Sequence, residues 1–85
     1  MIDKLELFKK KLIYRANYRG TKEMDILLSA FVNKNINKFD EILLKELDIF
    51  LNFEDEIILN FYHYNIVSND IDKNQISKIF KNFKI

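Results

Sequence analysis

Eighty-five residues set the scale of one domain, and 48% apolar with 14% aromatic residues supply its core. Fourteen basic against 13 acidic residues leave a net charge of +1, which excludes a chain-wide field pulling it onto nucleic acid or anionic lipid. The absence of cysteine and the single histidine, His63, exclude disulfides, thiolate zinc sites, a histidine metal cluster and a serine triad. Proline is absent and glycine occurs once, so β-turn chemistry is almost missing and apolar residues recur at helical spacing instead.

Asp3 is placed to cap a first helix over about 3–14, with Leu5, Phe8 and Leu12 on one stripe and Lys9, Lys10 and Lys11 on its polar side. The pattern stops near Gly20. Thr21 caps a second helix over about 22–32, where Met24, Leu27, Leu28 and Phe31 fit the i, i+3, i+4, i+7 template. Glu23 and Asp25 fall in its first turn, where the helix dipole favours acids. The stretch Asn33–Asn37 reads as a loop. Asp40 caps a third helix that buries Leu43, Leu47, Phe50 and Leu51, with Phe39 and Leu44 set for a hydrophobic staple. Glu54, Asp55 and Glu56 open a shorter fourth helix presenting Ile57, Ile58 and Phe61. Asp72 with Gln75 resembles a capping box for a last helix showing Ile76, Ile79, Phe80 and Phe83. The expected fold is all-α: a compact single-domain bundle of about five short helices across residues 1–85. A chain of this size has a stability of about 4–13 kcal/mol.

The opening Met1-Ile2-Asp3-Lys4-Leu5-Glu6 is too charged for a signal peptide and too acidic for an Arg-rich transit peptide. No apolar run approaches the roughly 20 residues of a bilayer span. Lys, Asn and Ile are heavily used, as AT-rich genomes produce. The expected location is a bacterial cytoplasm.

Lysine supplies nearly every positive charge, yet the two arginines, Arg15 and Arg19, and the sole glycine, Gly20, fall within six residues. Arginine offers a planar fork of five donors, and glycine removes the side chain and frees φ. Two readings stand side by side. Gly20 ends the first helix with an arginine meeting its dipole, or the cluster forms a contact surface with Glu23 beside it.

Arg19-Gly20-Thr21-Lys22-Glu23 matches the Arg-Gly-x-x-Glu signature of the SdhE family of FAD assembly factors, which the chain resembles. The match extends through Leu12-Ile13-Tyr14-Arg15 on one side and Met24-Asp25-Ile26-Leu27-Leu28 to Phe31 on the other, and resumes weakly at Leu51 to Phe61. It covers about residues 5–63 and leaves the segment after Tyr64 without a family signal. Tyr18 stands where a basic residue is common and Phe61 where tryptophan is usual, and the family's proline is missing.

The resemblance implies a small helical chaperone that binds the flavoprotein subunit of succinate dehydrogenase, or in some bacteria of fumarate reductase, and promotes covalent attachment of FAD. It implies no enzyme activity of the chain itself, no stably bound cofactor with FAD attached to the partner, no nucleic acid, no membrane insertion and a monomer. Arg15, Arg19, Gly20, Glu23 and Asp25 would form the partner-binding patch. Arg19 would grip a partner carboxylate or carbonyl, Gly20 would admit a close backbone approach, and Glu23 would orient Arg19 or accept from a partner donor. On this reading Arg19→Ala and Glu23→Ala weaken docking and leave melting near native.

Two other classes compete. Lys9, Lys10, Lys11, Arg15, Arg19 and Lys22, with Tyr14 and Tyr18 interleaved, form a basic run of the kind that contacts phosphates, although Asp3, Glu6, Glu23 and Asp25 lie beside it. An enzyme would have to use His63 with Glu54, Asp55 and Glu56, a group that reads more simply as a structural histidine and solvated dipole partners.

Overall fold

The computed structural model describes residues 3–85. Five α-helices follow in chain order: α1 (Lys4–Asn17), α2 (Lys22–Asn35), α3 (Glu41–Phe50), α4 (Asp55–Tyr64) and α5 (Gln75–Lys81). Short 3-10 turns at Ile36–Lys38 and Ile71–Lys73 lead into α3 and α5. Among the described residues there is no strand, so the all-α bundle read from periodicity is the fold.

Side-chain caps start most of these helices. The Asp3 carboxylate accepts from the Glu6 N–H at 2.8 Å, the Thr21 hydroxyl from Met24 at 3.3 Å, and Asp40 from Leu43 at 2.8 Å. Each satisfies a donor that the helix itself leaves unpaired. The start of α5 differs from the expected capping box. Asp72 is exposed in the 3-10 turn, and Asn74 is the cap, its Oδ1 accepting from Ile76 and Ser77 at 2.8 and 3.1 Å. Its amide also donates to the Glu46 carbonyl at 2.9 Å, so the cap is fastened to α3.

Two further expectations shift. The 33–37 stretch is not a loop: α2 runs to Asn35 because the Asn33 and Asn35 amides donate to the carbonyls of Ser29 and Phe31 four residues back. Ile36 then turns into the core. In α3 the buried stripe is Leu44, Leu47, Phe50 and Leu51, with Leu43 half-buried at its edge.

The helices are too short to persist alone, and what holds them is packing. The α1 and α2 helices lie against each other, while α5 sits on α3 and α4. Phe31, Phe50 and Phe80 are fully buried. Phe80 meets Phe31 edge-on at 5.0 Å, Phe50 at 5.4 Å and Tyr62 at 4.8 Å. Such pairs contribute about 0.5–1.5 kcal/mol each beyond their buried area. Tyr62 adds a polar tie, donating its hydroxyl to the Phe83 carbonyl at 2.7 Å. The last 20 residues therefore belong to the same core as the first helices.

Candidate functional site

The α1–α2 corner carries the rare residues. Its helix α1 stops at Asn17, and Tyr18 to Thr21 turn the chain into α2. Gly20 has φ +109°, a backbone state that L side chains rarely adopt, while a Cβ built there meets no atom within 4 Å. Backbone geometry requires this glycine, and the space above it is open. It is not a helix cap, since the capping position of α1 is Tyr18.

Arg19 points inward, contrary to its expected grip on a partner. Nε donates to Asp55 Oδ1 at 2.9 Å, Nη1 to the Leu51 carbonyl at 2.6 Å and Nη2 to the Phe53 carbonyl at 2.7 Å. Its side chain is only 11% exposed. Those carbonyls belong to the segment between α3 and α4. The guanidinium fork takes three acceptors in different directions, a task a single ammonium cannot copy. Asp25 supports the same corner from below: its Oδ1 accepts from the Arg19 backbone N–H at 2.6 Å.

Arg15 repeats the arrangement one turn earlier. Its guanidinium pairs with the Asp48 carboxylate and also donates to the Asp48 carbonyl at 3.1 Å and to Asn52 Oδ1 at 2.7 Å. Arg15 thus ties α1 to the end of α3, and Arg19 ties the α1–α2 corner to the α3–α4 connection. Glu23 behaves differently. It does not orient Arg19; Oε2 lies 3.2 Å from His63 Nε2 on α4, and 61% of its side chain is exposed.

What faces outward is therefore Tyr14, Tyr18, Gly20, Lys22, Glu23 and Ile26. Tyr14 and Tyr18 pack against each other, ring centroids 4.7 Å apart and tilted by 40°. Two open clefts flank this ridge. One, of about 410 Å³, is lined by Tyr18, Arg19 and the acids Glu54, Asp55 and Glu56. The other, of about 440 Å³, is more apolar, with Ile26, Leu27, Tyr62 and Ile85 beside Glu23, His63 and Lys84.

The basic run does not form a free stripe. Lys9 meets Glu6 at 3.6 Å and Asn37 at 3.5 Å, and both arginines are bound within the chain. Among the described residues no group of three His, Cys, Asp or Glu could hold a metal ion, and no helix is long and apolar enough to cross a membrane. Sequence reasoning missed the acceptors Asp48, Asn52 and Asp55, and the pairing of Glu23 with His63. The isolated arginines signalled that specific acceptors exist, but their positions depend on how α3 and α4 dock.

The family model described as "Flavinator of succinate dehydrogenase" matches residues 10–84. The chain belongs to the Sdh5 family. The match carries the family past Tyr64, where the sequence reading found no signal, in keeping with the burial of Ile71, Ile76 and Phe80. Curated relatives are named mitochondrial succinate dehydrogenase assembly factor 2. The Dictyostelium discoideum protein is 37% identical over 60 residues, 71% of this chain and 43% of its own. That of Scheffersomyces stipitis is 37% identical over 81 residues, covering 91% of this chain and 52% of the relative. The Schizosaccharomyces japonicus protein is 39% identical over 54 residues, 64% and 38% of the two chains. This Sdh5-family chain spans about half the length of the curated relatives it matches. No solved structure matches it significantly. The relatives are mitochondrial proteins of eukaryotes, which overturns the expected bacterial cytoplasm.

Proposed function

We propose that this chain is an assembly factor that docks on the flavoprotein subunit of succinate dehydrogenase and promotes covalent attachment of FAD to it. The observation that carries the reading is a division of labour within the family-matched segment. Arg15, Arg19 and Asp25 fasten the α1–α2 corner to the body of the protein, and the corner then presents Tyr14, Tyr18, Gly20 and Glu23 to solvent. The arginines act as positioning residues, and the exposed ridge makes the contact. A bare glycine near two packed, exposed tyrosines and an exposed carboxylate suits a protein surface, where aromatic anchors dominate binding energy.

The chain itself is proposed to carry out no chemistry and to hold no flavin. The acids Glu54, Asp55 and Glu56 line one cleft and oppose a pyrophosphate, and the other has Glu23 at its wall. FAD is held on the partner, and the factor's contribution is to keep the flavoprotein in an arrangement where flavin and its acceptor side chain meet.

The test is co-purification with the flavoprotein subunit, followed by denaturation and measurement of flavin that stays attached to the polypeptide. Retained flavin that rises when the chain is present supports the reading. Capture of no flavoprotein, with attached flavin unchanged, overturns it.

A further inference from the structure

We propose that His63 is a positioning residue for docking: it holds the Glu23 carboxylate at the rim of the α2–α4 cleft for a basic side chain of the partner. This inference rests on the reading of the exposed ridge as the flavoprotein-binding surface.

Glu23 and His63 stand 40 positions apart, on α2 and α4, and meet at 3.2 Å through Oε2 and Nε2. An ionised carboxylate only accepts, so the contact requires the proton on Nε2. His63 is itself held in place. Its ring lies edge-on to Tyr62 at 5.2 Å and tilted against Tyr64 at 5.9 Å. The α4 helix then ends one residue beyond Tyr64, at Asn65 in the left-handed conformation. One carboxylate oxygen of Glu23 is thereby tied, and among the described residues Oε1 meets no donor. The side chain, 61% exposed, lies beside Ile26 at the cleft rim. A free carboxylate lone pair with its partner oxygen anchored is an acceptor aimed at a cationic donor.

Two measurements test this. In the free chain, side-chain ¹⁵N shifts of the sole histidine are expected to report the Nε2–H tautomer at about pH 8, and an Nδ1–H tautomer overturns the proposal without any partner. Docking on purified flavoprotein subunit is then compared for wild type, E23A, H63A, H63Q and the E23A/H63A double variant. H63A is expected to bind about threefold to fivefold more weakly, and the double variant no more weakly than E23A. H63Q, which supplies an amide donor in place of Nε2–H, is expected to restore binding. If E23A weakens docking and H63A does not, this inference fails and the docking reading stands. An H63A loss that persists in the E23A background overturns it too, because His63 then acts without Glu23. A wild-type chain that captures no flavoprotein sinks the docking reading itself, while the tautomer still reports on the pair.

Discussion

Arg19 and Asp55 lie 36 positions apart, yet Nε of one donates to Oδ1 of the other at 2.9 Å, with the arginine side chain almost wholly buried. The carbonyls of Leu51 and Phe53 complete its surroundings. The most distinctive residue of the Arg-Gly-x-x-Glu motif is thus the strut of the corner, and its neighbours Tyr18, Gly20 and Glu23 face solvent.

Arg19→Ala leaves a carboxylate and two carbonyls without their donor. It is expected to lower stability by about 2–4 kcal/mol, which for a chain this size moves the melting temperature down by roughly 10 °C or more. Arg19→Lys recovers only part of this, since one ammonium cannot reach all three acceptors. Thermal unfolding followed by circular dichroism checks it; native-like melting of Arg19→Ala would return Arg19 to the role of an external grip.

Glu23→Ala separates the two roles. Its side chain is exposed and its partner among the described residues is a half-exposed histidine, so stability is expected to stay within about 0.5 kcal/mol of wild type. Binding to the flavoprotein subunit is expected to fall about tenfold, a loss of roughly 1.4 kcal/mol. Calorimetric titration reads the second effect, and equal losses of stability and binding would count against the division of roles.

Gly20→Ala meets no steric obstacle but must hold φ near +109°. The strain is expected to lower stability by about 1–3 kcal/mol with the helical spectrum unchanged. A variant as stable as wild type would mean that the corner has relaxed into another backbone state, which amide chemical shifts of Tyr18 to Lys22 would reveal.

Asn74→Ala removes two cap bonds and the tie to Glu46 from a residue that is only 5% exposed. The expected loss is about 1–2 kcal/mol, concentrated in α5. Hydrogen exchange of Ile76 to Phe80 should accelerate more than that of α2. Uniform acceleration would show that α5 does not open independently of the rest.

The helices were legible because their stripes and caps are local: Asp3, Thr21 and Asp40 cap as their spacing indicates. The last cap was misplaced because Asp72 and Asn74 are both good caps, and what decides between them is the bond from Asn74 to Glu46, 28 positions away. The same limit governs the site. Rarity marked Arg15, Arg19 and Gly20 as special, but whether a guanidinium faces a partner or its own chain depends on where Asp48 and Asp55 arrive, and no local pattern encodes that.

Because Asp25 holds the backbone of the Arg19–Gly20 corner while the α3–α4 connection holds the Arg19 side chain, the ridge is already set in one shape before any partner arrives. Association then gives up little chain entropy, and free and bound backbones should superpose to within about 1 Å across residues 14–26. On the proposed docking, recognition at this corner is a rigid-body event.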